Sequence, residues 1–186
     1  MPIVTVTSPV EDPITLPDAR VQCQMDVDLI DENPLIESLI KAAVDFCEKH
    51  TNRPLITQEK QYIGTFSSLV ELVPNLLSVE TISYIDDAGN PKTLDPSTYH
   101  VDIASIVGQV IPLEPWPGVK SNHPQPVTVS FTCGYGDAES VPESIKQCIR
   151  LLVGHWFRNR EAVGQSSSEI DLSVHSLLQP YKVEQV

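Results

Sequence analysis

The chain has 186 residues and a formal net charge of -13, from 12 Lys and Arg against 25 Asp and Glu. This length is sufficient for about one domain with its own apolar core, so folding requires neither a metal nor a disulfide framework. The excess of acidic residues excludes a DNA-binding module, because such modules neutralise phosphates with Lys and Arg.

Residues 1–25 carry no recognisable motif and are treated as an N-terminal extension. The apolar stretch MPIVTVTSPV has no basic residue before it, so no signal peptide is expected. No apolar run approaches the ~20 residues of a membrane span. The four cysteines show no C-x-x-C pair and are predicted to be small apolar side chains in the reducing cytoplasm: Cys23, Cys47, Cys133 and Cys148.

The segment NPLIESLIKAAVDFCEKHT predicts a helix from Pro34 to about Thr51. Asn33 can cap this helix, and proline suits its first turn. Leu39 and Phe46 belong to an apolar stripe at three-to-four spacing and are predicted to face the core. The letters NRP that follow end the helix.

Between residues 55 and 133 the pattern changes to short strands and turns. The run VTVSFTC alternates strictly between apolar and polar residues, which predicts a strand with one buried face. The run LSVETISYIDDAGNPKTL predicts a hairpin that turns at DDAGN. Recurrent prolines are typical of the edges of a small antiparallel sandwich.

The segment PESIKQCIRLLVGHWFRNREAVG predicts a second long helix that ends near Gly164. Its apolar arc covers more than half of the circumference, and Ile149, Leu152 and Trp156 are predicted to lie in the core. A helix this apolar lies either at the centre of its domain or against another subunit. Gly154, on the polar side, would let a neighbouring backbone approach closely.

Residues 165–186 are predicted to be a flexible spacer followed by a short docking helix. A helix this short is marginal alone in water, so its apolar face needs a partner. The predicted fold class is therefore α+β. Residues 26–54 and 134–164 form a small helical bundle of two long helices plus the short C-terminal helix, and residues 55–133 are inserted as an antiparallel β-sandwich-like subdomain.

No catalytic, cofactor-binding or metal-binding site is predicted. His155, Arg158 and Glu161 lie on roughly one side of the second helix, but no nucleophile or glycine-rich anion loop accompanies them. The run CGYGDAES lacks the lysine of a phosphate loop, and DDAGN lacks the glutamate that a calcium loop requires. The chain is therefore not expected to be an enzyme.

Four segments, in order, resemble the head–tail connector family, also called adaptor or head-completion proteins, of long-tailed bacteriophages and gene-transfer particles. They are LIESLIKAAVDFCEKHTNRPLI, VETISYIDDAGNPKTLDPSTYHVD, VTVSFTCGYG and VPESIKQCIRLLVGHWFRNREAV. The likeness runs from about Asp26 to Tyr181. It implies a structural virion protein, assembled in the bacterial cytoplasm, that forms a ring beneath the portal. The ring, expected to be dodecameric, would join the portal to the next stopper or tail component and continue the channel for viral DNA.

The resemblance also implies roles for individual residues. The C-terminal segment reaches the portal in this family, which gives the docking role to Leu172, Val174, Leu177, Leu178, Pro180 and Tyr181. The helices form the ring body, where unlike charges of neighbouring copies would meet. The residues expected at these inter-subunit contacts are Gly154, Arg158, Arg160, Glu161, Asp28, Asp31 and Glu32.

Two other functions stay open from the sequence. A monomeric β-sandwich module on a helical stem would bind a carbohydrate or a surface protein through Tyr84, Tyr99 and Trp116. A metal-dependent hydrolase would use His100 and His123 with nearby acids.

Overall fold

The computed structural model describes residues 3–26, 30–159 and 167–184. The chain divides into a strand unit (Met1–Pro9 and Thr57–Tyr135) and a helical unit (Val10–Ile56 and Gly136–Val186). Within the described residues, four α-helices and two antiparallel sheets make the fold α+β, which confirms the predicted class.

The strand unit contains a five-stranded sheet in the order β1-β2-β8-β4-β5 and a three-stranded sheet in the order β3-β7-β6. The strands are β1 (Ile3–Thr7), β2 (Gln58–Gly64), β3 (Val70–Pro74), β4 (Leu76–Ile85), β5 (Pro91–Thr93), β6 (Tyr99–Asp102), β7 (Val107–Pro112) and β8 (Val127–Cys133). Side chains from both sheets meet in one apolar core, which includes Tyr62, Val110 and Phe131. The inserted part is therefore sandwich-like, as predicted.

The β8 strand has the alternation that its sequence predicts. Val127, Val129, Phe131 and Cys133 are buried, whereas the intervening Thr and Ser residues are half-buried. It lies between β2 and β4 and pairs with both. The predicted hairpin is also present, because the Asp86 N–H donates to the carbonyl of Asn90 at 3.0 Å where β4 turns into β5.

The helical unit consists of α1 (Leu16–Gln22), α2 (Asn33–Thr51), α3 (Glu143–Arg158) and α4 (Ser167–Leu178). The long helices α2 and α3 pack against each other, and α1 and α4 both contact α3. The predicted cap of α2 is wrong, because Glu32 occupies the N-cap position and Asn33 is the first helical residue. The side chain of Asn33 instead accepts a hydrogen bond from Arg20 at 2.8 Å.

Residues 1–25 contain two elements that the sequence analysis does not predict. The β1 strand pairs with β2 and forms one edge of the larger sheet. The α1 helix begins with a capping box in which Thr15 and Asp18 each accept a hydrogen bond from the other's backbone N–H. Among the described residues, none of the helices is long and apolar enough to cross a membrane.

Candidate subunit and docking surfaces

The α2 helix carries two adjacent apolar stripes, and only one of them is buried within the chain. The buried stripe consists of Ile36, Ile40, Ala43, Cys47 and Thr51. The second stripe consists of Leu35, Leu39, Ala42 and Phe46. In it Leu35 is 36% exposed, Ala42 is exposed and Phe46 is 37% exposed. We call these four residues the outer stripe of α2.

The structure therefore corrects part of the predicted core. Phe46 is exposed and Leu39 is only half-buried, whereas the neighbouring Ile36 and Ile40 are buried. Both stripes have helical spacing, so the period alone cannot decide which one faces inward. On α3, Ile149 is buried, Leu152 is 5% exposed and Trp156 is half-buried.

The side chain that comes close to Gly154 belongs to the same chain. A Cβ atom added there would lie 3.3 Å from Cγ and 3.4 Å from Nε2 of Gln22, at the end of α1. Gly154 is buried, so the expectation that a neighbouring subunit approaches it is wrong in this structure. The α1 helix, which occupies this position, is not among the elements predicted from the sequence.

The charged residues expected at subunit contacts are partly described. Arg158 and Asp31 are exposed, and Glu32 is half-buried. Burial raises the pKa of the Cys23 thiol, and the nearby charges have smaller effects: Arg158 lowers this pKa and Glu32 raises it. Both charges are thus near Cys23 within one chain. Asp28, Arg160 and Glu161 lie outside the described residues.

The C-terminal segment folds back onto its own helical unit. Val174 is 2% exposed and Leu178 is 0% exposed, whereas Leu172 is 73% exposed. Leu177 and Tyr181 are half-buried and Pro180 is exposed. The expectation that the whole apolar face of this helix needs another protein as its partner is therefore wrong for Val174 and Leu178, which pack within the chain.

Hydrogen bonds to backbone carbonyl groups hold the end of this segment beside the end of α2. The Arg53 side chain donates through Nε to the carbonyl of Tyr181 at 2.7 Å. Asn52, which ends α2 in the left-handed conformation, donates through Nδ2 to the carbonyl of Val183 at 2.7 Å. The Val183 N–H donates in turn to the carbonyl of Thr51 at 3.0 Å. The last of these bonds satisfies the carbonyl of Thr51, one of those that the end of α2 would otherwise leave unpaired.

Three rings connect α2 to α4. His50 stacks on Phe46 with ring centroids 5.9 Å apart, and the ring centroid of His175 lies 4.7 Å from that of His50. Within the described part of the chain, the buried Nε2 of His50 has no hydrogen-bond partner. Burial lowers the pKa of His50, and His175 and Lys182 lower it further by charge repulsion. The neutral imidazole is therefore the form that this contact favours.

None of the three rings named for the rival binding function is exposed, and Tyr84 is half-buried with its ring centroid 6.1 Å from that of Phe66. Tyr99 is buried, and Trp116 stacks on Phe66 at 4.4 Å while donating its indole N–H to the carbonyl of Ser67. A cavity beside Trp116 measures about 160 Å³, which is below the roughly 300 Å³ at which ligand pockets begin.

The described residues contain no group of three or more His, Cys, Asp or Glu side chains that could hold a metal, and His100 and His123 are exposed.

The fold is shared with chains of gene transfer agent (GTA) particles. A chain from the neck of an empty GTA particle, computed with C6 symmetry, aligns with a TM-score of 0.81 at 18% identity, over 100% of this chain and 97% of that one. A chain from the virion of a native GTA particle aligns with a TM-score of 0.82 at 17% identity and the same coverage. A chain from the neck of a native GTA particle, computed with C12 symmetry, aligns over the same shares with a TM-score of 0.73 at 18% identity.

These matches show the fold, and a comparison with models of protein families identifies the family. The model of the family described as head completion protein matches residues 24–171. The chain belongs to the head completion protein family. No curated protein matches the chain in sequence.

Proposed function

We propose that the chain is a structural head–tail connector in the neck of a virion or related particle and has no catalytic role. Membership of the head completion family supports this function. The similar chains from particle necks computed with C6 and C12 symmetry support an assembly of several copies around an axis. Under this proposal, copies form a twelve-membered ring beneath the portal and bind both the portal and the next tail component.

The observation that carries the proposal is the outer stripe of α2. A helix of a monomeric domain normally turns its apolar stripe inward and its polar residues outward. Here Leu35, Ala42 and Phe46 remain exposed beside a stripe that is already buried. A second copy of the chain is the occupant that we propose, because a head-to-tail contact between identical copies generates a ring when its rotation closes.

Charged residues would add specificity around this apolar contact. Arg158 and Asp31 are exposed on the helical unit and have opposite charges. We propose that they face each other across neighbouring copies, together with Arg160, Glu161, Asp28 and Glu32. Such rim contacts orient partners more than they add affinity.

The portal contact is proposed for the C-terminal segment. Val174 and Leu178 hold it on its own chain, so docking uses the side that remains accessible. Leu172, Leu177, Pro180 and Tyr181 are exposed or half-buried and are the contact residues that we propose. The net charge of -13 also suits a ring through which DNA slides, because an acidic wall does not displace counterions from phosphates.

Electron microscopy of the chain mixed with purified portal protein of the same particle tests the proposal. We expect ring density beneath the portal with the unmodified chain and its loss with Ala42→Glu, which places a charge in the outer stripe. Lys41→Gln is the matched control, because it also lowers the net charge by about one unit but lies ~100° around the helix. Bare portals with the unmodified chain would disprove the connector function, and rings formed by Ala42→Glu would exclude the outer stripe as the subunit contact.

A further inference from the structure

Two buried thiols meet where α2 packs on α3. Cys47 and Cys148 are both 0% exposed, and their Sγ atoms are 3.6 Å apart although the residues are separated by 101 positions. The other two cysteines lie elsewhere. Cys23 is next to α1, and Cys133 ends β8 in the strand unit, where its thiol donates to the carbonyl of Gln58. Cys47 and Cys148 are therefore placed as a pair by the packing of two long helices.

The pair is held by apolar neighbours on both helices. Ala43 and Ile40 precede Cys47 on the buried stripe of α2, and Ile145 and Ile149 flank Cys148 on α3. Donating its S–H to Cys148 raises the pKa of Cys47, and burial raises it further. Accepting that hydrogen bond lowers the pKa of Cys148, although burial acts in the opposite direction. Both thiols are fully buried, so reaction with an oxidant requires the two helices to separate locally.

We propose that Cys47 and Cys148 form an oxidation site, a dithiol that a peroxide converts into a disulfide linking α2 to α3. One thiol, as its thiolate, attacks a peroxide oxygen, which breaks the O–O bond and leaves a sulfenic acid. The second sulfur then displaces water from the sulfenic acid and forms the S–S bond. Two electrons and both thiol protons pass to hydrogen peroxide, which leaves as two molecules of water.

The two sulfur atoms are close to each other but not yet at bonding distance. A disulfide has a sulfur–sulfur distance of about 2.05 Å, so the two atoms must approach by about 1.5 Å. The closed loop would contain the whole segment Thr57–Tyr135 of the strand unit, so the link restricts most of the unfolded chain.

The pairing itself does not depend on the proposed connector function, although that function gives it a use. A neck protein folds in a reducing cytoplasm and then meets an oxidising medium when the particle leaves the cell. The disulfide would fix the relative position of α2 and α3 outside the cell. Its formation and the ring assembly can be measured separately.

The test uses the purified full-length chain, reduced and then treated with hydrogen peroxide. We expect peptide mapping to identify a Cys47–Cys148 linked peptide, faster migration on a non-reducing gel, and a rise in Tm of about 5–10 °C that a reductant reverses. Cys47→Ala is the matched control and should show neither the linked peptide nor the reversible rise. A Cys23→Ala, Cys133→Ala double variant should keep both.

Three results would overturn the proposal: retention of both thiols, sulfinic acid at either position without a link, or links that join other cysteines. Mapping of the unmodified chain decides among them even where a variant does not fold. A linked peptide found without ring assembly on the portal would support the oxidation site and reject the connector function, so the two failures are distinguishable.

Discussion

At the end of α2, the His50 imidazole lies between Phe46 and His175, and Lys182 is nearby. The pKa of His50 in the folded chain is below the usual 6.5, because burial, His175 and Lys182 disfavour the charged form of its ring. The unfolded state therefore binds a proton at a higher pH than the folded state. The stabilising effect of the neutral ring is complete above pH 6.5 and decreases as the pH falls through this value toward the folded pKa.

We therefore expect the free energy of unfolding to fall as the pH is lowered from about 7 through 6.5, by up to about 1.4 kcal/mol for each unit of pKa difference. His50→Phe keeps an aromatic ring on Phe46 and should flatten this part of the profile. His100→Phe, at an exposed position of the strand unit, should leave it unchanged. Urea unfolding followed at several pH values gives the measurement, and an equal slope in all three proteins would refute the role of His50.

Gly154 offers a second single-residue prediction. A methyl group would lie 3.3 Å from the Gln22 side chain, which can shift by a few tenths of an ångström. Because alanine is favoured over glycine in a helix by about 1 kcal/mol, Gly154→Ala should be neutral or stabilising by up to that amount. Gly154→Leu would displace α1 and should destabilise the chain by about 1–3 kcal/mol. Denaturant midpoints compare the two variants, and equal tolerance of both would show that α1 does not pack there.

At the scale of the element, α4 is expected to be held by two buried side chains. Leu178→Ala removes a fully buried side chain and should cost about 2–4 kcal/mol of unfolding free energy. Leu172→Ala makes the same chemical change where the side chain is 73% exposed, and it should change stability by less than about 0.5 kcal/mol. Amide hydrogen exchange of α4 should accelerate in the first variant alone. Equal exchange in both would mean that the helix is not anchored through Leu178.

The helices show what periodicity can and cannot predict. The limits of α2 and the apolar face of α3 follow from spacing, proline and the terminal Asn-Arg-Pro, and the structure has them close to those positions. The choice between the two stripes of α2 depends on where α3 and α4 pack, which is information about distant residues. The α4 helix shows the same limit, since its sequence indicates a need for a partner without indicating that its own chain supplies one.

Short elements were missed for a different reason. The α1 helix has only 7 residues, so its apolar repeat is too brief to recognise. The signal that could have revealed it is the T-L-P-D run, in which threonine and aspartate form a capping box around a proline of the first turn. Placing α1 in advance would have assigned the contact at Gly154 to the same chain.

For the whole molecule, charge and apolar surface make opposing contributions to assembly. Each copy carries a formal net charge of -13, so identical copies repel one another at long range. The outer stripe of α2 attracts a neighbour only at contact, where apolar surface leaves water. Salt weakens the repulsion and barely affects the apolar contact, since the screening length falls from about 30 Å at 0.01 M to about 10 Å at 0.1 M.

We therefore expect the proposed rings to become more stable as sodium chloride is raised over this range, with subunit affinity increasing about tenfold, or ~1.4 kcal/mol. Sedimentation of the chain with its portal at a series of salt concentrations measures the fraction assembled. The Lys41→Gln variant should follow the same curve displaced toward higher salt, since it is more acidic by about one charge per copy. If assembly instead weakens as salt is added, ion pairs such as those proposed for Arg158 and Asp31 dominate the interface, and the outer stripe is not the main source of affinity.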